Sequence, residues 1–135
     1  ILLIAQMALA LTASAADLTI NITNIKQKVG FIKLAVHDNA KDFPKNYVNA
    51  IESAVIPVED YKAQVVIKNL RAGTYAVGLF QDKNNDEELN TNFLGIPKEP
   101  FGFSNNPVIL GPPKFRKCKF KFSQDKEINI RLKSF

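Results

Sequence analysis

The sequence predicts an all-β fold, an antiparallel β-sandwich with one long ordered loop, and three observations carry this prediction. Apolar and polar residues alternate with a period of two in six segments, which is typical of strands with one buried face. Seven prolines and many β-branched residues disfavour long helices. The 135 residues are the length of one domain. Because an antiparallel sheet of roughly six to eight strands buries its apolar face against a second sheet, we expect a sandwich, with a small closed barrel as the alternative.

The first sixteen residues carry no charge and are typical of a targeting segment. The apolar run is shorter than the ~20 residues that cross a bilayer, and Ala13-Ser14-Ala15 offers the small residues that signal peptidase requires. We expect a signal peptide over residues 1–16, with this chain beginning inside it, and a single domain over residues 17–135. A buried N-terminal helix or strand is the alternative. The protein is therefore predicted to be periplasmic or secreted.

The predicted strands follow one another along the domain. The first alternates Leu18, Ile20 and Ile22 with polar residues, and the others cover residues 31–36, 64–70, 74–81, 114–123 and 127–133. Gly73 lies in the short connection between the third and fourth strands and can take a positive φ, so these two strands are predicted to form a hairpin. Residues 45–54 are compatible with a short helical turn.

The single cysteine and the single histidine limit the chemistry of the chain. Cys118 cannot form an intrachain disulfide and is expected to be a core thiol. His37 ends an apolar segment beside Asp38 and is expected to be a strand-end hydrogen-bonding residue. Ser104 lacks the G-x-S-x-G pattern of a nucleophile, and no Cys/His zinc spacing exists. No catalytic residue is therefore predicted.

Residues 82–106 break the alternation and form the segment from which we expect function. The segment is much longer than an ordinary connection, whose median length is about 4–6 residues. Its prolines, glycines and apolar side chains favour an ordered loop over a disordered one. We expect Phe93, Phe101 and Phe103 to anchor this loop rather than to meet a ligand, because exposed phenylalanine is unfavourable in a soluble protein.

Oxygen-bearing side chains occupy alternate positions at the start of this loop, and we predict that they bind a metal ion: Asp82, Asn84, Asp86 and Glu88. Calcium takes six to eight oxygen ligands at ~2.3–2.6 Å, and a curling loop can supply them. The helix–loop–helix calcium template fails here, because Glu87 and Phe93 replace its glycine and its final glutamate. Two interpretations stay open: a solvated turn in which these side chains accept backbone amides, and a non-helical calcium loop.

Charge is distributed unevenly along the chain. Residues 82–99 contain five acids and two lysines, whereas residues 114–135 contain eight basic and two acidic side chains. The basic region is suited to an anionic glycan, an envelope component or a protein partner. Lysines on the exposed side of an edge strand more often protect it from aggregation than bind a partner. The chain has no nucleic-acid reading motif, and it has no apolar run after residue 16 that would form a membrane span.

Residues 69–106 resemble the signature of a family of exported bacterial proteins, domain of unknown function 2141. The family's hairpin pattern L-x-x-G-x-Y is matched by Leu70, Gly73 and Tyr75. Its second pattern, G-I-P-x-E-x-x-G-F-S-N, is matched from Gly95 to Asn105. The resemblance implies export and a sandwich of immunoglobulin-like or transthyretin-like architecture, the latter by analogy only.

The resemblance implies no activity, because the family has none established, and the recognition surface that we expect on this loop comes from its own composition. Relatives commonly carry Asp at the position of Asn90 and His at that of Gln81, so a metal site here would have lost one charge. The residues that we expect in the recognition loop are Asn90, Asn92, Pro97, Glu99, Gly102, Phe103, Ser104 and Asn105.

Two functions remain open from the sequence. The first is an exported, non-catalytic binding or interaction module that presents the Asp/Asn-rich loop. The second is a small secreted hydrolase or carbohydrate-active enzyme that uses Glu99 and a second loop carboxylate as an acid/base pair. We favour the first, because Glu99 is more simply explained as an acceptor for backbone amides of the turn at Gly102.

Overall fold

A computed structural model describes residues 14–86, 88 and 98–134 of the chain. These residues form eight strands, one short α-helix and a single 3₁₀ turn at Tyr47–Asn49. In chain order the elements are β1 (Ala15–Thr23), β2 (Phe31–His37), β3 (Glu52–Pro57), β4 (Ala63–Arg71), β5 (Gly73–Asp82), β6 (Phe101–Phe103), α1 (Phe115–Cys118), β7 (Phe120–Phe122) and β8 (Lys126–Arg131).

The strands form two sheets that share one core, and the predicted all-β sandwich is confirmed. One sheet has the order β4-β1-β8. The other has the order β3-β2-β5-β6, with β7 pairing to the first residues of β5. The strand pairs are antiparallel except for β1 and β8, which run parallel.

The core lies between the sheets and is built from alternate residues. Leu18, Ile20 and Ile22 of β1 are at most 3% exposed, as their spacing predicts, because every second side chain of a strand points to the same face. Val77 and Leu79 of β5 belong to the same apolar cluster, so β1 and β5 contribute side chains to it from different sheets. Full burial of one such side chain contributes roughly 1.5–3 kcal/mol to the stability of the fold.

The predicted hairpin between residues 64–70 and 74–81 is wrong. β4 pairs with β1 and β5 pairs with β2, so the chain crosses here from one sheet to the other. The buried Tyr75 donates its hydroxyl to the carbonyl oxygen of Arg71 at 2.7 Å, as in the tyrosine corners of other β-sandwiches. A Cβ at Gly73 would lie 3.3 Å from the Tyr75 ring. Glycine therefore leaves room for this ring, and it does not supply a positive φ.

The segment 114–123, predicted to be one strand, begins with the helical turn α1 instead. Phe115 and Cys118 pack with Phe43 and Ala76 in a second, smaller apolar cluster. A strand would send side chains three positions apart to opposite faces, whereas a helix places them on one side. The turn therefore forms because it brings both side chains to the same cluster, on the face of β5 that points away from the main core.

Cys118 is a buried core thiol, as predicted, and its burial makes stability depend on pH. The side chain is 0% exposed, and burial raises the pKa of the thiol from 9.0 to about 11. The unfolded chain loses this proton first as pH rises, so stability is lost above the unfolded pKa. Between about pH 8 and about pH 11, we expect the free energy of unfolding to fall by roughly 2 kcal/mol from this group.

Urea denaturation across this pH range measures the effect, and Cys118→Ala is the matched variant. The decline that the variant still shows comes from other groups, so the difference between the two proteins isolates the thiol. An equal decline in both proteins would contradict the assignment.

The first residues of β1 overlap the predicted leader. Residues 1–13 lie outside the described part of the chain, while Ala15 and Ala16 pair with Arg71 and Leu70. Cleavage after Ala16 would therefore remove the first two residues of β1, and the leader itself stays a prediction. Within the described residues, no helix is long and apolar enough to cross a membrane.

Candidate carboxylate site

The carboxyl end of β5 organises the candidate site. β5 lies between β2 and β6 in the five-stranded sheet, and every residue from Tyr75 to Asp82 is buried. Asp82 is 0% exposed and pairs with Phe31 of β2. A carboxylate removed from water needs polar partners or a counter-ion. The groups around Asp82 therefore decide what this end of the sheet can do.

The connection between β1 and β2 packs directly against this end of β5. Gln81 donates its side-chain amide to the carbonyl oxygens of Gln27 at 2.8 Å and Val29 at 2.9 Å. Gly30 has a φ of 71°, and a Cβ at this position would lie 2.1 Å from the carbonyl oxygen of Asp82. The position of Asp82 is thus set by the neighbouring connection as well as by the sheet.

Three carboxylates, those of Asp82, Asp86 and Glu99, converge beside the end of β5 and are called the carboxylate cluster below. One oxygen from each lies within 4.8 Å of the other two. Asp82 and Glu99 are 0% and 5% exposed, whereas Asp86 is exposed to solvent. Asp86 and Glu99 flank residues 87–98, so the cluster joins two points that are distant along the chain.

Backbone amides supply part of the compensation that these acids need. The amide of Lys83 donates to Glu99 Oε2 at 2.7 Å, and the amide of Asp86 donates to Asp82 Oδ1 at 3.2 Å. Glu99 was expected to accept amides of the turn at Gly102, and that choice of donor is wrong. Because β6 pairs with β5, the residues just before β6 return to the end of β5, and Glu99 reaches the residue that follows Asp82.

The four residues predicted as metal ligands divide into two pairs. Asp82 and Asp86 belong to the carboxylate cluster. Asn84 donates its side-chain amide to Asp86 Oδ2 at 3.1 Å and accepts the Asp86 amide at 3.4 Å, so it shapes the turn. The exposed Glu88 is not part of the cluster, and its backbone amide donates to Asp86 Oδ1 at 3.0 Å. Glu99 completes the cluster instead, from a position that alternation along residues 82–88 cannot reveal.

Several of the predicted recognition residues fall on the undescribed part of the loop. Asn90, Asn92 and Pro97 lie outside the described residues, as does the predicted anchor Phe93. The other two predicted anchors belong to β6. Phe101 is 3% exposed, and the ring of the half-buried Phe103 stands edge-on to the ring of Phe43, with 5.9 Å between their centroids.

The remaining predicted recognition residues bind the framework. Gly102 packs against β8, because a Cβ there would lie 2.7 Å from Ile130 Cγ2. Ser104 is 1% exposed, and its hydroxyl accepts the amide of Val77 at 2.9 Å and donates to the carbonyl oxygen of Cys118. A shielded hydroxyl that already makes both bonds joins β5 to α1 and is not offered to a ligand.

Two consecutive asparagines extend this framework. Asn105 donates its side-chain amide to the carbonyl oxygen of Lys119 at 2.9 Å, where α1 ends. Asn106, which was not among the predicted residues, donates to the carbonyl oxygen of Asn129 at 3.0 Å and accepts the amide of Arg131 at 2.8 Å. Its side chain therefore pairs with the edge of β8 as a strand would. Both asparagines have positive φ, 68° and 46°. Asparagine adopts positive φ more readily than most residues, so the Asn-Asn pair itself was the sequence signal for this turn.

His37 takes the strand-end role predicted for it. Its Nε2 lies 2.8 Å from the carbonyl oxygen of Asn46, and its ring packs edge-on against Phe43. His37 pairs with Ala76, six residues before Asp82 and hence roughly 20 Å away along the strand. The histidine and the carboxylate cluster are therefore too far apart to act on the same substrate atom.

Comparison with known protein families gives one match. Residues 20–131 match the model of the family described as "Uncharacterized protein conserved in bacteria", domain of unknown function 2141. This range contains the carboxylate cluster and all of β2 to β8. No curated protein and no solved structure matches the chain.

Proposed function

The chain belongs to the family of domain of unknown function 2141, and on this premise we propose that it is an exported, non-catalytic binding module whose Asp/Asn-rich segment is ordered by calcium. The uncharged, apolar residues 1–16 support export to the periplasm or the medium. The geometry of the carboxylate cluster supports the role of calcium.

The convergence of the three carboxylates is the observation that carries this proposal. Ligand oxygens on one calcium ion lie about 2.4 Å from it and therefore at most about 5 Å from each other. The oxygens of Asp82, Asp86 and Glu99 fall within 4.8 Å of one another. Carboxylates at this spacing repel strongly where burial lowers the local dielectric. A divalent cation between them would attract all three carboxylates and outweigh their mutual repulsion.

The chemistry of the donors favours calcium over other metals. All three side chains of the cluster offer carboxylate oxygen, which suits hard cations, whereas zinc sites usually include nitrogen or sulfur. Calcium also accepts irregular sets of six to eight oxygens, while magnesium demands near-octahedral geometry. In the proposed site Asp82, Asp86 and Glu99 hold the ion, and water or main-chain carbonyls complete its coordination.

A cation at this position would act on the loop between its ligands. Asp86 lies before residues 87–98 and Glu99 lies directly after them. Holding both ends to one ion would lower the entropy cost of presenting the intervening residues to a partner. The role of calcium would then be structural, and recognition would fall to the loop.

Burial of the acids supports a binding module over a hydrolase. Asp82 is 0% exposed, and Glu99 is 5% exposed and accepts a backbone amide. An acid/base pair must reach the bond that it cleaves. Two acids that are shielded in this way are better placed to hold an ion than to meet a glycosidic or ester oxygen.

The test is thermal unfolding of the full chain with calcium or with chelator. A ligand at about one hundred times its Kd stabilises the folded state by about 2.7 kcal/mol, which corresponds to a rise in Tm of roughly 5–10 °C for a domain of this size. Asp86→Asn should abolish most of this rise. Asp86 is exposed, and asparagine can still accept the amide of Glu88, so the variant should fold.

Asp60→Asn is the matched control, because Asp60 is an exposed aspartate in the turn between β3 and β4. It should respond to calcium as the parent does. An unchanged Tm of the parent protein at millimolar calcium would remove calcium from the proposal. Equal loss of response in both variants would show a general charge effect instead of a site.

A further inference from the structure

A second surface, which shares no residue with the carboxylate cluster, combines exposed apolar side chains with positive charge. Residues 107–113, called the apolar tip below, connect the turn at Asn106 to α1. Within the tip, Val108 is 81% exposed and Leu110 is 95% exposed. Large aliphatic side chains two positions apart and almost wholly in water are unfavourable unless something covers them.

The tip is not an unstructured excursion. Its ends are held by Asn106, which is bonded to β8, and by Phe115 of α1, which packs against the second apolar cluster. Three prolines, Pro107, Pro112 and Pro113, restrict the backbone between these ends. A restricted loop loses little entropy when its apolar side chains leave water, so the tip is suited to insertion.

Basic side chains stand on both sides of the tip. Lys133 donates its ammonium group to the carbonyl oxygen of Pro107 at 2.6 Å. On the other side, five basic and no acidic residues occur between Lys114 and Lys121. Lys114, Arg116 and Lys117 of this run are exposed. The apolar residues of the tip are thus flanked by positive charge at each end.

We propose that the apolar tip inserts into the surface of a bilayer that contains anionic phospholipid. Val108 and Leu110 would enter the boundary between headgroups and acyl chains, while the flanking lysines and arginines meet the lipid phosphates. Each element alone gives weak, reversible attachment, and stable attachment takes both together. The complementarity of charge selects an anionic surface over a neutral one. This inference stands independently of the calcium proposal, because it uses none of the residues of the cluster.

The absence of tryptophan from the chain permits a direct test. Leu110→Trp places the only indole of this chain at the tip. Val55→Trp places it instead on β3, an edge strand of the five-stranded sheet, where Val55 is 57% exposed. With vesicles of phosphatidylglycerol and phosphatidylcholine, we expect the emission of Leu110→Trp to move to shorter wavelength and to be quenched by brominated acyl chains. The emission of Val55→Trp should do neither.

Vesicle sedimentation then measures the contribution of each element. Val108→Ser/Leu110→Ser should lower the partition coefficient at least about tenfold, because two aliphatic side chains no longer leave water. Val55→Ser/Tyr61→Ser removes two exposed apolar side chains elsewhere and should not lower it. Lys114→Gln/Lys117→Gln should weaken binding to anionic vesicles more than Lys26→Gln/Lys62→Gln. Residues 1–13 are the same in every variant, so their own affinity for lipid cancels in each comparison.

The outcomes separate the proposal from its rivals. Equal spectral shifts of the two tryptophan variants, or equal binding to pure phosphatidylcholine, would overturn it. It would also be overturned if Leu110→Trp did not respond to lipid while sedimentation velocity showed association of chains that Val108→Ser/Leu110→Ser abolished. That result would assign the tip to a second copy of the protein.

Discussion

Replacing Gly30 by alanine should destabilise the protein by about 3 kcal/mol or more, the sum of a left-handed φ that alanine disfavours and a collision with backbone. The φ of Gly30 is 71°, and a Cβ would lie 2.1 Å from the carbonyl oxygen of Asp82. Because that oxygen belongs to the end of β5, neither a rotamer change nor a small side-chain shift relieves the contact. Urea denaturation of the two proteins measures the loss.

The matched control is Gly111→Ala. A Cβ at Gly111 would meet no atom within 4 Å, so this variant should stay within about 0.5 kcal/mol of the parent protein. Relieving the contact between the new Cβ and the Asp82 carbonyl oxygen would displace Asp82. The Gly30→Ala protein that remains folded should therefore gain less stability from calcium than the parent protein. A loss below about 1 kcal/mol for Gly30→Ala would mean that the connection between β1 and β2 does not pack on β5 as described.

The elements that the sequence predicts best are those in which apolar and polar residues alternate clearly. β1 alternates fully buried aliphatic side chains with polar ones, and its alternation alone identified its core face. β3 was missed, and part of it was assigned to a possible helical turn. Its residues alternate only between exposed and half-buried, so the pattern is weak. β3 is a strand because it pairs with β2, a contact that no local pattern encodes.

Pairing between strands is the part of the fold that local reasoning could not reach. The short connection before Gly73 suits a hairpin and a crossing between sheets equally well. The choice depends on β1, which pairs with β4 from about fifty residues earlier in the chain. The signal of a crossing was present in Tyr75, whose hydroxyl holds the corner by its bond to Arg71.

The residues of the candidate site also differ in whether the local sequence reveals them. Asp82 and Asp86 are close in sequence, and their spacing alone placed them in one turn. Glu99 reaches them only because β6 returns the chain to the end of β5. The motif containing Ser104 and Asn105 was interpreted as part of a recognition surface because it lies in the long segment 82–106 that breaks the strand pattern. A sequence motif does not distinguish polar groups that face a ligand from those that hold the framework together.

The double variant Ser104→Ala/Asn106→Ala should lose about 4 kcal/mol of stability, because both side chains hold the framework together. Removing the Ser104 hydroxyl leaves the buried amide of Val77 without its acceptor, at a cost of about 1–3 kcal/mol. Removing the Asn106 amide frees the edge of β8 at Asn129 and Arg131. Alanine also disfavours the left-handed backbone at position 106, where φ is 46°.

A double variant of the same composition separates these bonds from backbone strain. Asn69 also has a positive φ, 57°. In the described part of the chain neither its side chain nor that of Ser53 makes a hydrogen bond. Ser53→Ala/Asn69→Ala should therefore lose only about 1 kcal/mol, the strain alone. If instead both double variants unfolded at the same urea concentration, the polar groups of Ser104 and Asn106 would be dispensable to the framework, and a role in recognition would again be their better explanation.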